Sequence, residues 1–342
     1  MTCCDVDKIL PVHPVRSAAA PLEAPQVPED SAREWCHEED LAALVQGGDM
    51  EVVDTNLGTS GVYFVCEAGA PAGVFKPASQ EHVPDEFKGA LVEGENLYRE
   101  RAAYVISQQL GGLCGVPATV IARITNPKLG GEQEGSLQRF VPHAVDMSDM
   151  GPGGISDDEV HKVGLLDLLL LNLDRHEGNM LMKKAPDGSR TIIPIDHGLS
   201  LPLLVSPNHA PDTRLLEQLS FVWQGWQHAS RPFSAASRAL AAALTQRRVR
   251  ALARAVSAAA PGISSESLTT LEIGGVVLRM CVGAGMSLRE TAVFVQQGLG
   301  KALEHAHGAC ECGEGVKHGQ WELAFLAKLE EAVRKMVAGG GG

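Results

Sequence analysis

The stretch "NMLMKKAPDGSRTIIPID", residues 179–196, constrains the fold more tightly than any other part of the sequence. Two apolar, β-prone runs flank Pro186-Asp187-Gly188-Ser189. A proline with fixed φ, an aspartate able to bond its own backbone and a glycine together predict a tight turn between antiparallel strands. In such a hairpin the first residue of one strand faces the last of the other at about 5 Å. Asn179 and Asp196 therefore become neighbours at the open end. Asp174 lies five residues before Asn179, on the segment leading out of an apolar helix, and can be brought to the same opening. Two carboxylates and an amide oxygen suit Mg²⁺, which takes one or two protein carboxylates and completes its shell with water and substrate phosphates.

The sequence ahead of the hairpin reads as two lobes of different texture. From Val52 the chain alternates β-rich runs with Gly and Pro clusters, "VVDTNLGTSGVYFVCEAGAPAGVFKPAS". A helical stretch follows, "GENLYRERAAYVISQQLGG", and then two more strand-like runs, "PATVIARIT" and "GSLQRFVPH". This order predicts a small α+β lobe over 51–145, built of antiparallel strands and one helix. Beyond "MSDMGPGGIS" the chain turns mainly helical, and a second lobe is expected over 146–305. Its first helix starts with the capping box Ser156/Glu159 and is apolar almost all round, as a core helix is. Asp167 within it must find a buried polar partner, because an unpaired charge there is costly. An Ala-rich helix is expected near 234–259, two more between 267 and 299, and a C-terminal helix with a flexible tail over 306–342. Residues 1–30, rich in Pro, Ala and acids, read as a disordered leader. A short helix over 31–50 is expected from Ser31 with Glu34, closing at Gly47.

Composition narrows the function. A net charge of −13 on 342 residues, with no Lys/Arg-rich run, argues against a general nucleic-acid binder. Eight irregularly spaced cysteines suit a reducing compartment, so a cytoplasmic protein is expected. The most apolar run, "VGLLDLLLLNL", is about half the roughly 20 residues a membrane span needs, so no transmembrane segment is expected.

Phosphoryl transfer needs a positioning carboxylate, metal ligands and a cation over the nucleotide phosphates. Lys76 ends the strand "AGVFKP" and offers the cation, and Glu100 on the next helix offers a charge to hold it. Gly58 and Gly61 fall in a hairpin turn whose backbone can approach phosphates. They form no Walker A, since no Gly-Lys-Ser/Thr follows. The diagnostic feature is the order: glycine turn, lysine, helix glutamate, D-R-H-x-x-N, I-D-H-G.

The segments "VFKP", "YRERAAY", "SLQRFVPH", "GLLDLLLLNLDRHEGN", "IPIDHGLSLP" and "FVWQGWQHASRPFS" carry a resemblance to the phosphatidylinositol 3-/4-kinase superfamily. Within it the chain most resembles the plant and algal phosphatidylinositol 4-kinase gamma, type II-like, group, over about residues 53–297. The resemblance implies a two-lobed kinase-like α+β fold that uses ATP and Mg²⁺. It implies Asp174 as the catalytic carboxylate, His176 as a group stabilising the transferring phosphoryl, and Asn179 and Asp196 as metal ligands. It further implies that Lys76 contacts ATP phosphates and pairs with Glu100. Gln138, Arg139, Phe140 and Val141 would form the linker that meets adenine, and Arg175 would brace the loop. The expected activity is transfer of the ATP γ-phosphate to phosphatidylinositol at a membrane surface. A protein serine/threonine kinase is the alternative and a pseudokinase scaffold a third reading.

Two departures from the group stand out. A ubiquitin-like domain ahead of the kinase region, carried by some members of the group, is not expected here, and Arg214 is the one strong cation in the segment after Asp196, where a phosphoinositide head group prefers more positive charge. Cys3 and Cys4 are candidates for acylation, and hence for peripheral membrane attachment. The segment with His305, His307, Cys310, Cys312 and His318 fits no standard zinc spacing and reads as surface. Trp223 and Trp226 read as packing residues.

Overall fold

The computed structural model of the chain describes residues 37–46, 50–55, 61–112, 114–206, 208–310 and 318–339. Gly58, the Ser31/Glu34 helix start, Gly47, Cys3, Cys4, Cys312 and the 1–30 leader lie outside these residues. The described chain falls into two compact units. One runs up to His82 and resumes over Pro117–Val141, and the other holds Val83–Val116 and Pro142 onward.

The first unit is a five-stranded antiparallel sheet with strand order β1-β2-β3-β5-β4. Its strands are β1 (Glu51–Asp54), β2 (Tyr63–Glu67), β3 (Ala70–Pro77), β4 (Thr119–Asn126) and β5 (Gly131–Arg139). Period-two burial builds it: Val120, Ala122 and Ile124 of β4 point inward with Tyr63 and Val65 of β2. The β2–β3 turn holds Ala68 and Gly69 at φ 48° and 79°, the mirror-image turn that matches the twist of a two-residue hairpin. Helix α1 (Glu39–Gln46) buries Leu41 and Leu44 on the sheet. Gly73 makes room for it, since a Cβ there would stand 2.8 Å from Leu137 Cδ1 and 3.4 Å from Leu44 Cδ2.

The second unit is mainly helical. It contains α2 (Asn96–Gln109), α3 (Asp157–Leu170), α4 (Ala235–Ala243), α5 (Gln246–Ala259), α6 (Ser265–Gly283), α7 (Leu288–Gln297), α8 (Leu299–Gly308) and α9 (His318–Gly339). A small sheet of β6 (Val145–Asp146), β7 (Met180–Lys184) and β8 (Arg190–Pro194) completes it. Helices α3 and α6 are buried on nearly every side and form the core. They approach closely at Gly274, where an added Cβ would lie 2.3 Å from the Leu169 carbonyl oxygen. Ser156 caps α3 by accepting the Glu159 N–H at 3.3 Å, while the Glu159 carboxylate accepts the Ile192 N–H at 3.1 Å and ties the helix to β8. Helix α9 buries Trp321, Phe325, Leu326, Leu329 and Val333 and packs on α6 and α8.

Three expectations differ from what is observed. Helix α1 begins at Glu39, with His37 and Glu38 outside it, and not at the expected start at Ser31. The Ala-rich stretch 234–259 is two helices, not one. Leu244 turns into the core and Thr245 restarts the chain as an N-cap, its hydroxyl accepting the Arg248 N–H at 3.3 Å. Helix α2, expected with the strands, groups with the helical unit. Its N-terminal end is held there by Glu95, which pairs with Arg99 at 3.0 Å and accepts from Ser264 N at 2.9 Å and Ser267 Oγ at 3.0 Å. At the other end Arg248 donates to the Gln109 carbonyl.

Candidate active site

The β7–β8 hairpin has the predicted form. Met180 faces Pro194 and Lys184 faces Arg190, and the turn closes through Asp187, whose carboxylate accepts the Ser189 N–H at 2.8 Å and hydroxyl at 2.6 Å. One step beyond the ladder Ile195 N donates to the Asn179 carbonyl at 3.1 Å, which puts Asn179 and Asp196 at the same end. Asp196 adopts φ 55°, a left-handed conformation uncommon outside Gly, Asn and Asp.

Asp174 reaches this end through a loop that the protein fixes from below. Helix α3 stops at Leu171, φ 47°, and Asn172 N bonds back to the Asp167 carbonyl at 3.0 Å. The Asn172 side chain then holds both sides of the loop: Oδ1 accepts the Asp174 N–H at 3.0 Å and Nδ2 donates to Asp167 at 3.2 Å. The Asp167 carboxylate, fully buried, also receives Arg175 Nε at 3.0 and 3.1 Å and the Trp223 indole N–H at 2.8 Å. From the far side of its guanidinium, Arg175 donates to the Ile195 carbonyl at 2.9 Å and to the Asn179 carbonyl. Arg175 thus braces the loop against both strands at the open end of the hairpin, and Asp167 has the buried partners its position requires.

The result is a cluster of oxygen atoms. Asn179 Nδ2 donates to the Asp174 carbonyl at 2.9 Å and to its carboxylate at 3.4 Å. Burial pushes the Asp174 carboxyl above the ordinary carboxylate range, and the Asp196 charge adds to that push against the pull of His176 and Arg175. His176 Nε2 stands 3.9 Å from Asp174 Oδ2, and its Nδ1 accepts the Gly178 N–H at 3.1 Å. In the neutral ring the proton therefore sits on Nε2, the outward nitrogen. Two neighbouring carboxylates, one already disfavoured in its charged form, and an amide oxygen form a donor set of the kind Mg²⁺ takes. Among the described residues no group of three or more His, Cys, Asp or Glu side chains gathers around a metal position, so the set here depends on the amide.

The I-D-H-G loop is held from α2. Glu100 Oε2 accepts the His197 N–H at 3.0 Å, and Gly198 lies under Asn96, where a Cβ would sit 3.4 Å from the Asn96 Cβ. The His197 ring is fully buried, and burial lowers its pKa. Sequence reasoning did not single out Asn172, His197 or the part played by Trp223. Asn172 and His197 sit inside the quoted motifs, whereas Trp223, 56 positions from Asp167, carries no local signal.

The remaining candidates lie in the sheet unit. Lys76, on β3 opposite Ser136, is half-buried. Gly61 packs against Gln80, since an added Cβ would fall 1.7 Å from Gln80 Oε1. Gln138 bonds Thr119 at 2.9 Å, and the amides of Arg139 and Phe140 donate to Ala118 and Ala72. Phe140 meets Phe64 edge to face at 5.5 Å, and Val141 is buried.

An antiparallel sheet unit, together with a helical unit whose hairpin carries D-R-H-x-x-N and a second aspartate, defines a kinase-like fold of the α+β class. The sequence profile described as phosphatidylinositol 3- and 4-kinase matches residues 88–269, and the chain belongs to that family. It is similar to phosphatidylinositol 4-kinase gamma 8 of Arabidopsis thaliana, 31% identical over 72% of this chain and 49% of that protein. Gamma 4 of Oryza sativa subsp. japonica is 28% identical over 84% and 52%, and gamma 1 of Arabidopsis thaliana 37% over 43% and 27%. The chain spans about half the length of the first two of these. Among solved structures, the golgi casein kinase covers 72% of this chain, and this chain 72% of it, at 15% identity and a TM-score of 0.42, too distant to argue from.

Proposed function

We propose that the chain is an ATP-dependent phosphatidylinositol 4-kinase. The observation that carries the reading is the convergence of Asp174, Asn179 and Asp196 at one end of the hairpin, in a member of the phosphatidylinositol 3- and 4-kinase family. The phosphatidylinositol 4-kinase gamma names of its relatives favour position 4. In this reading the acceptor hydroxyl oxygen attacks the γ-phosphorus, its proton passes to Asp174, and the bond to the bridging oxygen breaks to release ADP. A raised pKa makes Asp174 a stronger base than an ordinary aspartate. His176 presents its Nε2 hydrogen to the transferring phosphoryl group. Asn179 through Oδ1 and Asp196 through its carboxylate would hold Mg²⁺, which would supply positive charge to the nucleotide phosphates. Arg175, Asn172 and Glu100 keep these atoms in place before substrate arrives.

The sheet unit supplies nucleotide contacts in the same reading. Lys76 meets the ATP phosphates, the turn of Gly58 and Gly61 approaches them, and the Gln138–Val141 segment meets adenine. Because the Arg139 and Phe140 amides are already bonded, the base uses groups nearer Val141. In this reading the enzyme reaches its lipid as a peripheral protein on the cytoplasmic side; among the described residues no helix is long and apolar enough to cross a membrane.

One observation favours a protein acceptor instead. Arg214, the strong cation after Asp196, is bound to Asp212 at 2.5 and 2.9 Å and is thereby compensated. Incubation with labelled ATP, phosphatidylinositol vesicles and a generic protein substrate separates the readings. Label in lipid at the 4-position supports the proposal, label only in protein replaces it with a serine/threonine kinase, and label in neither indicates a binding scaffold.

A further inference from the structure

The chain carries 42 acidic residues, yet none falls between Glu217 and Glu266. Those 48 positions contain Arg231, Arg238, Arg247, Arg248, Arg250 and Arg254 and no lysine, so the expectation of no Lys/Arg-rich run is corrected: four arginines fall within 247–254. With six positive charges there and −13 overall, the rest of the molecule carries −19. Such a separation of sign gives the protein one face that a negatively charged surface attracts and a remainder that it repels.

The structure shows where this charge goes. Helix α5 buries Val249, Leu252, Ala253 and Val256 on one side. Arg247 and Arg254, seven positions apart, lie on the opposite side, and Arg250 sits on the flank that meets Glu272 of α6. Ala251, Ala255 and Ala258 lie on that side as well. Arg247 and Arg254 are exposed, and so is Arg238 on α4. Arg231 is matched by Asp157 at 2.7 Å and Arg250 by Glu272 at 3.2 Å. Arg238 and Arg248 donate to carbonyl oxygens, of Phe233 and Gln109, and so keep their full charge. No ion pair within 4.0 Å forms at Arg238, Arg247, Arg248 or Arg254 among the described residues.

We infer that the solvent face of α5, with Arg238 of α4, docks the protein on the anionic phosphates of a membrane surface. Guanidinium groups spread on a carpet of alanines suit a plane of head groups: the small side chains let the helix lie close, and each arginine meets its own phosphate. This face has no aromatic side chain on which a nucleic-acid base could stack. Choosing a membrane over other polyanions rests on the lipid-kinase reading, whereas the charge separation stands without it. The face also supplies the cations missing beside Asp196: it brings the enzyme to the bilayer, and recognition of the lipid itself is left to the site.

Co-sedimentation of the full chain, without ATP, tests this with vesicles of phosphatidylcholine alone and with about one-third phosphatidylserine, at low and high salt. Binding should need the anionic lipid and fall with salt. Arg247→Ala with Arg254→Ala should weaken it about 25-fold, about fivefold per arginine. Alanine is the best helix former, so α5 persists, which circular dichroism verifies. The same loss of two charges on the sheet unit, Arg123→Ala with Lys128→Ala, should leave binding within about twofold. Equal weakening by both pairs, binding to neutral vesicles as tight as to anionic ones, or preferential binding to single-stranded polyuridylate would overturn the inference. Turnover of detergent-dispersed phosphatidylinositol is followed separately and should be unchanged in the α5 variant. If wild type shows no turnover there, the lipid-kinase reading fails while the vesicle result still decides the docking face.

Discussion

Replacing Asp167 tests whether the loop that presents Asp174 is held from beneath. Its carboxylate is fully buried and accepts from Arg175, Asn172 and Trp223. Asp167→Ala leaves the Arg175 guanidinium, also buried, without its counter-charge, and breaking a buried pair in this way costs about 3–5 kcal/mol. The Asn172 and Trp223 donors lose an acceptor too, so the cost lies at the upper end of that range. Trp223→Phe is the matched control. It removes one hydrogen bond to a charged acceptor, worth about 1.5–3 kcal/mol, and leaves Asp167 with its other partners. In thermal melts followed by far-UV circular dichroism, with a unit of this size shifting roughly 2–4 °C per kcal/mol, a cost of about 5 kcal/mol in Asp167→Ala should lower the midpoint by roughly 10–20 °C. Trp223→Phe should lower it by roughly 3–12 °C, and less than Asp167→Ala in the same experiment. Adding Arg175→Met to Asp167→Ala should recover part of the loss, because the stranded charge goes with it. Equal midpoints for Asp167→Ala and wild type, or no recovery in the double variant, would refute the reasoning.

Three further outcomes are expected. Asp196→Ala should abolish phosphoryl transfer from labelled ATP while costing only about 1–2 kcal/mol of stability for alanine at φ 55°, and Asp196→Asn, which tolerates that φ, should be equally inactive but fold as wild type. Burial, with the nearby Glu322, raises Glu272 to about 7; its folded form holds the proton longer than the unfolded chain does, so this group's contribution to stability is full below about pH 4.5 and falls by at most about 3 kcal/mol as pH rises through 7. Glu272→Gln should flatten that pH dependence of the melting midpoint. Gly274→Ala should destabilise the helical unit by about 1–3 kcal/mol or more in urea titrations, because the new methyl meets the Leu169 backbone and not a side chain that can turn away.

What sequence alone determined was local. Turn chemistry at 186–189 and strand periodicity gave the hairpin and its register, and through them the meeting of Asn179 with Asp196. Apolar patterning and the Ser156 cap gave α3, and the position of Asp167 within it required a buried partner. The family was legible because its motifs are short and contiguous. Tertiary structure alone decided which partners those were: Arg175 lies eight positions from Asp167, but Trp223 lies 56 away and is brought there by the folding of the intervening chain. It also decided that α2 belongs with the helices, through Glu95 and residues 169 and 172 positions away. It gave Glu100 the His197 amide to hold, and set the Gln80 side chain against Gly61. Periodicity and turn propensity are energies of neighbours in the chain, whereas these contacts exist only once two distant surfaces have closed on each other and excluded water.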